Sequence, residues 1–435
     1  MVGVIGRVGQ MMGRVGASTA MGGGGAPGPL RVVTTRGEVE ADLIGTGLTS
    51  ANNAQAFRMR VFAGAGGIKA NTLRLAVPNF AVTAAGTETS APTYKIGGHV
   101  EWDSVAYPFA FSGSQLGDVP AGAAEYFSDA LTHPEIAAGT AGWVYIYREY
   151  PVGGSHVYVV GASLNPAVAG ETSLNGAAGT VANRIGTPGA QTASGGYSNI
   201  SAAINPPFAL IGEQVTKERA FVIIGASLEK NQSDTWGDGA NGAGGYVRRA
   251  LNPASGTKYA YLSLARAAEA STQFVNGSGS TKRKVWYKYA NTGFNGYGGN
   301  NFSFNVAVAT TIANMATIKA DMAAAGVEDF IYSRMAPKTN STDSWATIAN
   351  QTIRTGASLL LPAYRSQVDA AVVSQGYRLF DTALGWEDPA NPGYWLTNGA
   401  ANYWTTDGTH GSPAAHGATG EALKTFIASL PALAA

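Results

Sequence analysis

The sequence predicts an α/β, three-layer, parallel-sheet domain in its C-terminal half, preceded by an antiparallel β-sandwich. Three observations carry this. Glycine supplies 58 of 435 residues and charged residues only 13%; a helical bundle needs more Glu, Lys and Leu, so the composition suits a loop-rich, strand-rich chain. Up to residue 213 short strand-like runs follow one another, broken by Gly, Pro, Asn and Ser, as in sandwiches. From residue 214 strand-like runs alternate with helical segments, which is the pattern of βαβ units and right-handed crossovers.

Residues 1–29 end in Gly22-Gly23-Gly24-Gly25 and Pro27-Gly28-Pro29 and are expected to be a flexible leader. Arg7 and Arg14 interrupt its apolar stretch, a poor fit to a secretory signal. The compartment is therefore left open, an extracellular location by a non-standard route included. Residues 30–213 form the first module, with strand-like runs at 72–77 (TLRLAV), 107–111, 143–147 (WVYIY) and 157–160. Residues 214–435 form the second. Its strands are expected at 220–224 (AFVII), 259–264 (YAYLSL), 285–290 (VWYKYA), 330–335 (FIYSRM) and 377–380 (YRLF). Between the third and fourth, residues 310–325 carry Ile312, Met315, Ile318 and Met322 at helical spacing, closed by Gly326. The segment 345–375 ends in helix-like VDAAVVSQG, and 420–430 (GEALKTFIASL) reads as a last helix.

Basic and acidic residues nearly cancel, 29 against 28, so the basic excess of a nucleic-acid binder is missing. The cluster Lys282-Arg283-Lys284 is short and reads as a solvated strand entry. There is no cysteine, hence no disulfide, thiol nucleophile or Cys-type zinc site. No apolar run reaches the ~18 residues of a membrane span. His99, His133 and His156 lie in separate segments and are expected to be incidental.

The chemistry is expected beyond the carboxyl ends of the parallel strands. The first of them ends in Gly225-Ala226-Ser227, a turn that would present a hydroxyl at the sheet edge. Serine needs an adjacent base to become a nucleophile, and histidine is the usual one. The C-terminal half has two, His410 and His416, both within TDGTHGSPAAHG at 406–417. Asp407 stands three residues before His410, so its carboxylate can hold Nδ1–H and leave Nε2 free to take the serine proton. His416 reads as an incidental loop histidine. Glu229 and Glu269 are expected to be solvated rather than a glycosidase pair.

In order along the chain, Gly225-Ala226-Ser227-Leu228 and Asp407-Gly408-Thr409-His410 resemble the first and last motifs of the SGNH (GDSL-type) hydrolases, over residues 218–432. The resemblance implies an SGNH-like fold with Ser227 as nucleophile, His410 as base and Asp407 as its orienting acid. It implies an oxyanion hole made by the N–H groups of Ser227 and Ala268 and by an asparagine side chain. Ala268 stands where the family has glycine. Asn295 in Gly293-Phe294-Asn295 is the preferred asparagine, with Asn300 in Gly298-Gly299-Asn300 as the alternative. Ala226 replaces an acidic residue, which bears on the turn rather than on the triad. The stretches 72–79, 107–111, 119–122 and 139–147 are similar to jelly-roll modules that precede some of these enzymes.

The function expected is therefore carboxylic ester hydrolysis through an acyl-enzyme, without metal or organic cofactor. The substrate is expected to be a small-molecule or polysaccharide ester, O-acetyl groups on a polysaccharide first and short-chain or aryl esters next. The aromatic segment 386–404 (WEDPANPGYWLTNGAANYW) is equally a sugar-stacking surface or loop packing. A carbohydrate-binding or phage-tail-like structural protein with a hydrolase-shaped domain is the reading from another class. Acyl transfer would use the same residues, and oligomeric state is left open.

Overall fold

The structure, a computed structural model, describes residues 28–41, 43–45, 48–83, 86–158, 170–178, 184–190, 198–199, 206–234, 241–242, 244–276 and 280–434. The leader, apart from its last two residues, and the run at 159–160 lie outside them. No helix among the described residues is long and apolar enough to cross a membrane.

The chain enters through β1 (Arg31–Val32) and β2 (Gly37–Glu38). It continues in β3 (Ala54–Phe62), β4 (Arg74–Val77), β5 (Tyr94–Trp102), β6 (Ala141–Glu149), β7 (Thr172–Gly176) and β8 (Ala209–Gly212). In the larger antiparallel sheet β6 runs between β3 and β5, with Ile146 opposite both Phe57 and Gly98. Period-two alternation gives each strand two faces. Met59, Val61, Val144 and Ile146 meet Leu75, Val77 and Leu210 of the smaller sheet in one core. Ala54, Ala56, Tyr145 and Tyr147 pack on the opposite side.

The parallel sheet is built from β9 (Ala220–Ile224), β10 (Ala260–Ser263), β11 (Thr292–Asn295), β12 (Asp329–Ser333) and β13 (Arg378–Phe380). Its order is β2-β10-β9-β11-β12-β13, every pair parallel. Counted from β9, the strands run 2-1-3-4-5, which puts the topological switch point between β9 and β11. Four helices cover it: α1 (Tyr246–Leu251), α2 (Val308–Ala324), α3 (Leu361–Ser374) and α4 (Pro413–Ala428). Phe221 and Ile223 of β9 face α1 and α4, while Val222 and Ile224 face α2 and α3. These are three layers.

Helix α2 ends where its sequence says it should: Gly326 has φ +92°, and the Val327 N–H closes onto Met322 O at 3.0 Å. The strand expected at 285–290 is instead a 3₁₀ helix, Val285–Tyr289, and the third strand lies at Thr292–Asn295. Trp286 and Tyr287 are aromatic because they are buried, not because they are extended. The real strand carries Gly293 because a Cβ there would lie 2.6 Å from Met322 Sδ of α2. Lys282-Arg283-Lys284 is likewise not a strand entry: it falls on a short helix, with Arg283 bidentate to Glu269 and Lys284 paired to Asp321 at 2.7 Å.

The two halves are tied together. β2 comes from the N-terminal half yet forms the edge of the parallel sheet. Beside it Arg248 bonds Glu38 at 2.7 Å and Lys230 bonds Glu40 at 2.6 Å, all four buried. Val32, Ala76, Ala209 and Ile211 of the smaller antiparallel sheet also enter the core under α2 and α3.

Candidate active site

β9 is buried along its whole length, and the chain must turn sharply to leave it. Gly225 makes the turn at φ +153°, where a Cβ would lie 2.5 Å from a Glu229 carboxylate oxygen. That carboxylate accepts the Ala226 N–H at 2.9 Å and the Tyr246 hydroxyl at 2.6 Å. Glu229, expected in solvent, is therefore buried and holds the turn that carries Ser227. Burial pushes its pKa up, against the Tyr246 and Ala226 hydrogen bonds.

The second half of the site is a knot of local hydrogen bonds. Thr405 Oγ1 accepts the Gly408 N–H at 2.9 Å and donates to His410 O at 2.8 Å. Asp407 Oδ1 accepts the N–H groups of Thr409 and His410, both at 2.8 Å. Gly408 has φ +67°, and a Cβ there would lie 2.0 Å from Thr339 O. Beyond the loop Ser412 caps α4 by accepting the Ala415 N–H, with Pro413 in the first turn.

These loops meet across the end of the sheet. His410 Nδ1 lies 2.6 Å from Asp407 Oδ2, and His410 Nε2 lies 2.8 Å from Ser227 Oγ. A carboxylate on Nδ1 fixes the tautomer that leaves Nε2 as acceptor for the serine proton. Burial works against the Asp407 charge, but the His410 and Thr409 hydrogen bonds hold its pKa well below the usual carboxylate range. Ser227 is 7% exposed and lines a cleft with about 20 Å³ of free space. The arrangement can generate a serine nucleophile without further groups.

His416 is excluded from this chemistry by its surroundings. It is fully buried, accepts the Tyr246 N–H on Nδ1 at 3.2 Å and donates from Nε2 to Gln232 O at 3.1 Å. Burial pushes its pKa down to about 4. His99 is a partner of Glu101 at 3.1 Å in the antiparallel half.

The oxyanion side differs from expectation. Asn295 is the last residue of β11 and is fully buried. Its amide turns to Met315 Sδ at 3.2 Å and Tyr377 Oη at 3.4 Å, and it does not line the cleft. Because the strand begins later than expected, the asparagine sits inside it rather than after it. Asn300 lines the cleft with Ser227, and one of its two amide hydrogens goes to Glu269 O at 3.1 Å. Ala268 is exposed in the turn after β10, at φ +63°. The Arg266 N–H donates to Gly225 O at 3.0 Å, which draws this turn to the serine turn. Glu269 is buried too, bonded by Arg283 and, at 2.5 Å, by Tyr297. In the aromatic segment Trp386 and Trp395 are core residues and only Tyr403 is well exposed, which favours packing for the two tryptophans. Sequence reading also passed over Lys338, a buried lysine lining the cleft; a lone lysine in a loop carries no signal of its position.

No family model matches the chain. No curated protein matches it either. Among solved structures it is similar to a lipolytic protein of the G-D-S-L family from Desulfitobacterium hafniense, with 12% identity and a TM-score of 0.35 over 48% of this chain and 99% of that one. A psychrotrophic esterase from Pseudoalteromonas sp. is similar over 48% of this chain and 97% of its own, with 11% identity and a TM-score of 0.35. A lipase/acylhydrolase from Enterococcus faecalis is similar over 50% of this chain and 100% of its own, with 15% identity and a TM-score of 0.34.

Proposed function

We propose that this protein is a carboxylic ester hydrolase of the SGNH type that works through an acyl-enzyme. The observation that carries the reading is the hydrogen-bonded chain from Ser227 Oγ through His410 to Asp407, at 2.8 and 2.6 Å. Ser227 attacks the ester carbonyl while His410 Nε2 takes its proton, then returns it to the departing alcohol. Water, activated by the same imidazole, releases the acid. The developing oxyanion is held by the N–H groups of Ser227 and Ala268 and by the second amide hydrogen of Asn300. No cofactor enters this scheme.

The first substrate in this reading is an O-acetyl group on a carbohydrate. The antiparallel half we read as a jelly-roll-like sandwich, residues 30–213, whose two sheets share one core and which lends β2 to the hydrolase domain at 214–435.

The test is labelling with a fluorophosphonate and mapping of the adduct by mass spectrometry. Ser227 is expected to carry it. An adduct on any other residue overturns the assignment, and an unlabelled, inactive protein favours a binding or structural role.

A further inference from the structure

The scheme above uses no cation, yet one is buried in the cleft. Lys338 follows β12, is 4% exposed and lines the space shared by Ser227, Asn300 and Thr409. A Cβ on Gly299 would lie 3.4 Å from its Cε and 3.8 Å from its Nζ, so the side chain ends beside the segment that bears Asn300. Arg248, Lys230, Arg283 and Arg365 are also buried, and each has a carboxylate partner. Among the described residues Lys338 has none within ion-pair distance. A second cation, the half-buried Arg354, braces the His410 loop. Arg354 donates to Thr409 Oγ1 at 2.7 Å, to Asp407 O at 2.8 Å and to Asn340 Oδ1 at 3.0 Å, without a carboxylate partner among the described residues.

Burying a charge without a counter-charge is costly, so an unpaired ammonium in a cleft calls for an explanation. Burial pushes its pKa down to about 8; Arg354 adds to the push, while Asp407 and Glu229 oppose it. It is thus still cationic at neutral pH. We infer that Lys338 is the anion-recognising group of the cleft and pairs with a carboxylate carried by the ester substrate close to the scissile bond. The inference rests on the ester-hydrolase reading and narrows its substrate class. Among the buried cations just named, Lys338 alone lacks a carboxylate; a carboxylate on the substrate supplies the missing partner in the ground state. The carboxylate belongs either to the acyl half of the ester or to its alcohol, as in an acetylated acidic sugar.

Two matched pairs of esters separate these sources: 4-acetoxybenzoate against 4-acetoxybenzamide, and 4-nitrophenyl hydrogen succinate against its methyl ester. In one pair the wild type is expected to favour the carboxylate member in kcat/KM by on the order of tenfold to a hundredfold, the range of a charge-assisted hydrogen bond. Preference in the first pair places the carboxylate on the alcohol, and in the second on the acyl group. Lys338→Met removes the preference and Lys338→Arg keeps part of it. No preference in either pair overturns the inference, as does a preference that survives in Lys338→Met. An equal loss on both members of a pair also overturns it, because the ammonium then serves the oxyanion common to both. Calorimetry on Ser227→Ala keeps the test open whatever the chemistry. It should bind 4-acetoxybenzoate or the succinate more tightly than the neutral partner, and Ser227→Ala/Lys338→Arg should retain part of that difference even if Lys338→Met does not fold. Carboxylate-selective binding in a protein that fluorophosphonate does not label would sink the hydrolase reading alone.

Discussion

On one side of the cleft, Ser227, His410 and Asp407 are placed by turns whose hydrogen bonds stay close in sequence: Glu229 to Ala226, Asp407 to Thr409 and His410, Thr405 to Gly408. On the other, Asn300 and Lys338 are placed by segments that meet only in the fold, through Glu269 O and the approach of Gly299. The first side is a pair of loops knotted by local hydrogen bonds, the His410 loop braced from outside by Arg354 on Thr409 Oγ1 and Asp407 O. The second is assembled from the ends of β10, β11 and β12, and its geometry depends on where each strand stops. Within one site, then, the proposed nucleophile and its base sit on turns knotted by local hydrogen bonds, while the groups proposed to stabilise charge are placed by packing.

The largest effect is expected from removing the proposed nucleophile. Ser227→Ala is expected to lower kcat on 4-nitrophenyl acetate by on the order of 10⁴–10⁶, with an unchanged thermal midpoint, since the hydroxyl is not part of the turn's support. Retained activity would dissolve the triad side altogether. On the opposite side Asn300→Ala should cost about 10²–10³ in kcat, as loss of an oxyanion donor does. Asn295→Ala should act mainly on stability, because its amide packs against Met315 and Tyr377. The reverse pattern in steady-state kinetics would return the oxyanion role to Asn295.

A third measurement concerns His416, the fully buried histidine of the C-terminal half. His416 is held neutral, with its pKa pushed down to about 4 from 6.5 by burial. The unfolded chain therefore binds the proton first as pH falls. Its contribution to stability is complete above about pH 6.5 and is lost towards pH 4, by roughly 3 kcal/mol in all. Denaturant unfolding followed from pH 7.5 to 4 should show this slope, and His416→Gln should flatten it. An unflattened slope would shift the effect to His156, which burial also pushes down to about 4. The smallest effect is expected at Ala268, where a left-handed alanine is strained. Ala268→Gly should raise stability by up to about 1 kcal/mol in denaturant unfolding, with the backbone N–H still in place.

Much of the parallel half was legible from residues 220–224, 310–325 and 377–380, whose apolar spacing matches the faces they bury. Trp286, Tyr287 and Tyr289 misled because burial and extension select the same aromatic residues. That error moved the third strand by several positions and carried Asn295 with it. Glu229 and Glu269 misled for a related reason: a carboxylate reads as solvated until the fold supplies Tyr246, Arg283 and Tyr297 to bond it.

What the sequence alone determined is the pairing of Asp407 with His410 and the Gly225 turn before Ser227, because the groups that fix them lie within a few residues and their hydrogen bonds form wherever that loop forms. That Ser227 meets His410 across 183 residues, that Asn300 rather than Asn295 lines the cleft, and that Lys338 is buried without a carboxylate were decided only by tertiary structure. The physical reason is that a side chain at a strand end faces core or cleft according to strand register, and register is set by packing against neighbours far away in the chain.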